Sequence, residues 1–199
     1  LRPGVFNFPS APPNTVFSMR MLVLGAGLQG SACAFDLLQN PDVTEVRLAD
    51  INIDHIAPFL APYVGTRLIP TRLDVRNREV TLAHVRDCDA VMSAAPYYFN
   101  RDLAEWSIEG HAHFSDLGGN TEIVFAQKAL HDKALAAGVS IIPDCGVAPG
   151  MVNIVAQYGI EQLDQVDAVR IYVGGLPQQP EPPLNYQIVF VVFSVAGVI

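Results

Sequence analysis

A doubly wound parallel α/β sheet, followed by the start of a smaller α+β domain, is the fold class this sequence predicts. Three observations predict it. From Met19 onward, short β-branched and apolar runs alternate with helix-period patterns. The first run opens directly into Gly25-Ala26-Gly27-Leu28-Gln29-Gly30. Six such runs precede Asp144, the number that two mononucleotide-binding halves require. Half of the 199 residues are hydrophobic and 16% are charged, which supplies apolar surface for a full core.

Each element follows from local pattern. A first strand is expected over 20–24. The helix after Gly27 sets Leu28, Ala32, Phe35 and Leu38 on one stripe until Asn40-Pro41 stops it. A second strand over 45–49 ends at Asp50, and a helical stretch over 53–61 leads to a third strand ending at Asp74. After a helix over 77–86, the fourth strand (90–94) runs into Ala95-Pro96, where proline ends ladder pairing. A helix over 100–109 precedes a fifth strand over 111–115 and the turn Asp116-Leu117-Gly118-Gly119. The next helix is capped by Asn120 or Thr121 and closed by Gly138, and a sixth strand covers 139–143. The expected strand order is 3-2-1-4-5-6.

Three segments result. Residues 1–18 are proline-rich and aperiodic and read as an extension ahead of Met19; 19–146 read as the dinucleotide-binding domain. Residues 147–199 read as the beginning of a substrate or dimerisation domain, incomplete on this reading. It has a helix over 151–162, a strand over 168–173, a proline-rich turn over 177–183 and an apolar strand after Leu184.

Charge and composition narrow the partners. A net charge of -8 repels phosphate backbones and anionic lipid, so neither nucleic acid nor a membrane is expected, and a small molecule is. Three scattered cysteines, Cys33, Cys88 and Cys145, form neither a disulfide framework nor a zinc motif, which fits a reducing cytoplasm. No apolar run reaches the roughly 18 residues of a membrane span. The apolar end of the chain, once exposed as an edge, predicts a homo-oligomer.

The glycine motif carries chemistry because of its setting: after a strand, opening a helix, and about twenty residues ahead of an acid at a strand end, the fingerprint of a Rossmann domain. Gly25 allows the tight turn, Gly27 lets backbone approach a pyrophosphate, and Gly30 lets helix and sheet pack closely. Leu28 and Gln29 begin the helix whose amides and dipole attract the phosphates. Asp50 is placed to accept both adenine-ribose hydroxyls and to repel the extra phosphate of NADP, so NAD is the expected cofactor; the alternative is a helix cap. Asp74 and Val75 are expected to flank the adenine, with an N-cap role for Asp74 as the alternative. Ala94, Ala95 and Pro96 leave the fourth strand at the switch point, where the nicotinamide half lies against backbone.

Two residues there are candidate general bases. Asp116 sits at the end of the fifth strand beside Gly118-Gly119, with capping of the next helix as its alternative; Tyr97 is able to line the cleft or simply pack. His111 and His113 are expected on one strand face without a carboxylate at ligand spacing, so no metal site is expected.

Asp144-Cys145-Gly146-Val147-Ala148-Pro149-Gly150-Met151-Val152-Asn153 resembles the saccharopine dehydrogenase-like family, in which a Gly-x-x-Pro-Gly turn leaves the Rossmann domain and starts the first helix of the substrate domain. Tyr172-Val173-Gly174-Gly175-Leu176-Pro177 and Pro182-Pro183-Leu184-Asn185-Tyr186 add to the likeness, which runs from Met19 to Ile199. Within the family they look most like the enzymes that oxidise the lysine side-chain amine. The resemblance implies NAD-dependent oxidative deamination of that amine to a semialdehyde in a soluble amino-acid dehydrogenase. It also implies a substrate carboxylate at Pro149 and Gly150, where open helix-start amides are expected. The rivals are a glutamate-forming saccharopine reductase, which favours NADP, and a dinucleotide-sensing domain without chemistry. One departure is Ile188-Val189-Phe190-Val191-Val192-Phe193-Ser194, where an extra Val-Val-Phe displaces part of the strand.

Overall fold

The β-branched and leucine-rich runs pair side by side because each is too apolar to leave either face in water. The computed structural model describes residues 18–174 together with Gln179, Pro182 and Pro183. Its elements are β1 (Met19–Leu24), α1 (Leu28–Gln39), β2 (Val43–Asp50), β3 (Leu68–Arg72), α2 (Arg78–Arg86), β4 (Ala90–Ser93), α3 (Asn100–Glu109), β5 (His113–Asp116), α4 (Thr121–Lys128), α5 (His131–Ala137), β6 (Ile141–Ile142) and α6 (Met151–Glu161). The six strands form one parallel sheet in the order β3-β2-β1-β4-β5-β6, as the sequence predicts.

Alternation along β1 builds two cores. Leu22 and Leu24 point into a cluster with Val85, Val91, Leu103, Ala104 and Phe114. Val23 points the other way, onto Ala34, Leu38, Val46, Leu48, Leu60 and Leu68. Asn77 and Asn120 cap α2 and α4, their side-chain oxygens accepting from the amides of Val80 and Ile123. No helix among the described residues is long and apolar enough to cross a membrane.

Several local expectations are corrected. The face α1 buries is Gly30, Ser31, Ala34 and Leu38, while Leu28 is 93% exposed and Ala32 is exposed. Near the glycine loop the close approach of helix to sheet leaves room only for small residues, and a large apolar side chain is buried only farther along, at Leu38. Phe35 lies at the margin, edge-on to the rings of Phe59 and Tyr63. The segment 53–61 makes no α-helix. Pro58 and Pro62, which lack amide donors, leave a short 3-10 turn over Pro58–Tyr63.

β3 ends at Arg72 instead of Asp74. β5 begins at His113 because His111 has φ +59, a left-handed conformation that cannot continue a strand, so the two histidines do not share a strand face. The helix after Asn120 is two helices broken at Ala129-Leu130, with Gly138 closing the second at φ +70. Residues 168–174 form no strand. The extension over 1–17, the apolar strand after Leu184 and the Val-Val-Phe departure lie outside the described residues, as does most of the turn over 177–183.

Candidate functional site

The carboxyl ends of β1, β2, β4 and β5 converge at the point where strand order reverses, and the glycine loop closes over that edge. Gly25 has φ +99, and a Cβ there meets the carbonyl oxygen of Ala94 at 2.8 Å. A Cβ on Gly30 sits 1.8 Å from the Gly25 carbonyl oxygen and 3.3 Å from Ala94 Cβ. Gly25, Gly30 and Ala94 are therefore one tight junction between the two loops. Gly27 differs, because a Cβ there meets nothing within 4 Å. It faces open space at the start of α1, where no side chain caps the helix and the amides of the first turn have no intrahelical acceptor. That step leaves room for a pyrophosphate beside these amides, with Leu28 and Gln29 exposed next to it.

Asp50 reaches the same loop. Its Oδ2 accepts from the Ala26 amide at 2.7 Å and its Oδ1 from the Asn52 amide at 2.9 Å, so one carboxylate fixes both the glycine loop and the turn after β2. Each oxygen keeps a lone pair for a further donor such as a ribose hydroxyl. Asp74 and Val75 follow β3. The Asp74 carboxylate takes the Arg76 guanidinium at 2.6 Å and the Arg76 amide at 3.0 Å, and these bonds hold it down to about 2. Val75 packs on the core beneath. Beyond β4, Ala95 packs on the same core and Pro96 is exposed.

Asp116, expected at the open ligand edge, is instead enclosed. It is fully buried, its Oδ1 accepting from Gly118 N at 2.7 Å and Asp144 N at 3.3 Å, and its Oδ2 from Gln127 Nε2 at 2.6 Å. Its carbonyl takes the Cys145 amide at 2.7 Å. Its register partner Ser93 donates to Asn100 Oδ1 at 2.8 Å, and Gln127 Nε2 also reaches the Asn100 carbonyl. This network ties β4, β5, α3, α4 and the loop after β6 together behind the switch point. Gln127 Oε1 is buried without a partner. Turning the amide over would set that oxygen against the Asp116 carboxylate, so the orientation is determined. Tyr97 is half-buried, its Cβ 3.2 Å from where a Gly119 Cβ would stand, and its ring packs edge-on against Tyr98.

Asp144, to which no role follows from the sequence, holds φ +60, and its Oδ1 lies 1.9 Å from where a Gly118 Cβ would be. Burial pushes its carboxyl up, the neighbouring Asp116 adds to this, and the Gly119 amide opposes it. With the folded pKa above the unfolded one, the folded state binds more protons between the two values. Stability therefore falls as pH rises through that window, and the penalty is complete above the folded pKa. Asn tolerates left-handed backbone and keeps an acceptor for Gly119. Asp144→Asn is expected to raise Tm at neutral pH by roughly 1–2 °C after solvent screening, and the gap closes in acid. Melting curves across pH check this, and a gap independent of pH rejects it.

The helix start at Gly150 is also corrected. Gly150 has φ +124, and a Cβ there lies 2.2 Å from the Gly146 carbonyl oxygen. The amides expected to be open are engaged: Gly150 N donates to Asn153 Oδ1, Met151 N to Gly146 O at 2.8 Å and Val152 N to Val147 O at 3.1 Å. The turn caps itself, so no row of free amides waits there for a substrate carboxylate. Pro149 is exposed, and α6 buries none of its residues. Among the described residues no three metal-ligating side chains cluster.

Comparison with known proteins adds four findings. Residues 21–142 match the family model described as the saccharopine dehydrogenase NADP-binding domain. An alpha-aminoadipic semialdehyde synthase of Arabidopsis thaliana is 31% identical over 122 residues, covering 58% of this chain and 11% of that protein. The mitochondrial alpha-aminoadipic semialdehyde synthase of Mus musculus is 26% identical over 175 residues, covering 84% of this chain and 18% of that protein. An apo, histidine-tagged saccharopine dehydrogenase (L-Glu forming) of Saccharomyces cerevisiae shares the fold at a TM-score of 0.59 and 23% identity, covering 72% of this chain and 31% of that one. The chain thus spans less than a third of the length of each of these relatives.

Proposed function

The chain belongs to the saccharopine dehydrogenase NADP-binding-domain family, and from that premise we propose that it binds NAD as the cofactor-holding part of an amino-acid dehydrogenase. Its substrate on this reading is the side-chain amine of lysine, as in lysine 6-dehydrogenases. The observation that carries the cofactor half is the pairing of an open Gly27 step with Asp50, which braces the loop and keeps acceptor capacity for a ribose. The start of α1 holds the pyrophosphate, and Ala94, Ala95 and Pro96 border the nicotinamide half.

When bound, the dinucleotide supplies a hydride acceptor for the carbon that bears the amine. The chain's own part is to orient it, with Asp116 holding the β5 edge in place and Tyr97 as the remaining candidate for a proton acceptor at the cleft. The lysine half draws support from the names of the curated relatives, both alpha-aminoadipic semialdehyde synthases. A second reading, a glutamate-forming saccharopine reductase using NADP, draws support from the NADP-binding family and from the fold shared with the yeast saccharopine dehydrogenase (L-Glu forming).

Fluorescence titration separates the cofactors. NADH is expected to bind at least about tenfold tighter than NADPH, a difference of ~1.4 kcal/mol. Gly27→Ala is expected to weaken NADH by a similar factor while Tm stays put, because its methyl fills the phosphate space and touches no protein atom. Tighter NADPH binding moves the reading to the reductase. Following NADH formation from a panel of amino acids led by L-lysine, in this chain and in a form of its relatives' length, tests the substrate. Bound NAD with no amino acid oxidised by either removes the lysine half alone.

A further inference from the structure

We propose that Arg72 is a 2′-phosphate ligand held out of use by Asp54, so that the preference for NAD rests on two carboxylates, Asp50 and Asp54. This deepens the NAD reading and rests on it. In the parallel ladder Asp50 of β2 is the register partner of Arg72 of β3, so both leave the sheet at the same edge on adjacent strands, about 4.8 Å apart. The chain after Asp50 is coiled back by two successive aspartate and asparagine bonds. Asp50 Oδ1 takes the Asn52 amide and Asn52 Oδ1 takes the Asp54 amide.

That turn delivers Asp54 to Arg72. Arg72 Nη2 lies 2.6 Å from Asp54 Oδ1, and Nη1 donates to the Ile51 carbonyl at 2.8 Å. A group added to a ribose hydroxyl held by Asp50 meets this turn. The guanidinium offers the planar fork that takes a phosphate through two bonds, but its charge is already matched by Asp54. The pair is open to solvent, with side chains 59% and 66% exposed, so it is weak and within reach of an incoming anion. The other arginine near this edge, Arg76, is committed to Asp74 through both Nε and Nη2. The site therefore contains the positive charge that NADP needs and two negative charges that withhold it.

The test titrates NADH and NADPH into the 199-residue chain carrying Asp50→Asn, Asp54→Ala, both, and both with Arg72→Ala or Arg76→Ala. Asp50→Asn removes the charge and keeps an acceptor for Ala26, but turns its NH2 toward the Asn52 amide, so circular dichroism checks this variant too. Asp54→Asn stands in if circular dichroism shows that Asp54→Ala disturbs the fold. The double variant is expected to bind NADPH on the order of 10–100-fold tighter than wild type. That gain shrinks with added salt, is lost with Arg72→Ala and survives Arg76→Ala. No gain in the double variant, or a gain that survives Arg72→Ala, overturns the proposal. Wild type binding NADH with such a result leaves the NAD reading intact; wild type binding neither dinucleotide removes both.

Discussion

Gly30→Ala is expected to lower Tm by about 6–12 °C and to abolish NADH binding, although the residue lies on the side of the loop away from the open phosphate space. The added methyl would stand 1.8 Å from the Gly25 carbonyl oxygen and 2.9 Å from its carbon. Neither neighbour is a flexible side chain, so the loop or the whole of α1 must shift. Overpacking of this kind costs about 3 kcal/mol, which for a domain of this size corresponds to that change in Tm. Binding goes with it because the displaced loop carries Ala26, the amide that Asp50 holds. Differential scanning calorimetry with an NADH titration checks both, and the comparison with Gly27→Ala is the informative one. The same glycine-to-alanine change is neutral for stability at 27 and damaging at 30, while both weaken binding. Equal melting temperatures for the two variants would reject the packing role of Gly30.

Asp116→Ala is expected to be comparably severe for stability and to say more about mechanism. Removing the carboxylate leaves the half-buried amides of Gly118 and Asp144 without their acceptor and Gln127 Nε2 with the Asn100 carbonyl alone. At about 1–3 kcal/mol for the buried Gln127 donor and less for each half-buried amide, the loss is on the order of 3 kcal/mol. Asp116→Asn restores an acceptor for the two backbone amides but turns its own NH2 toward Gln127, so it is expected to fall between wild type and Asp116→Ala in Tm. A brace and a base separate here. If Asp116 acts by bracing, stability and NADH affinity fall together across the two variants. If Asp116 were the open base, the Asn variant would lose turnover with Tm and NADH affinity unchanged.

The elements legible in the sequence were those set by rules acting within a few residues. Strand order followed from the alternation of strand and helix patterns, and the start of α4 from the asparagine cap at Asn120. The errors were local too, where a second rule outweighed the first. Proline chemistry at Pro58 and Pro62 overrode apolar periodicity, and a left-handed His111 shortened β5. On α1 the hydrophobic pattern marked Leu28 as inward, yet the sheet admits only Gly30, Ser31 and Ala34 before Leu38.

By itself, then, the sequence determined a parallel sheet, its switch point, the glycine loop and the acid at the end of β2. Each depends on backbone sterics or on the two-residue and 3.6-residue periods of side chains, which are written in adjacent letters. Only the tertiary structure decided what the polar groups at that edge do. Asp116 is buried because Gln127, eleven residues on, and Asp144, twenty-eight on, meet it through space. The helix start after Pro149 is closed because Gly146 and Val147 fold back onto it. Arg72 is matched by Asp54 from across a strand end. A carboxylate or guanidinium is reactive, structural or latent according to which donors and charges surround it, and those neighbours are chosen by the packing of the whole chain.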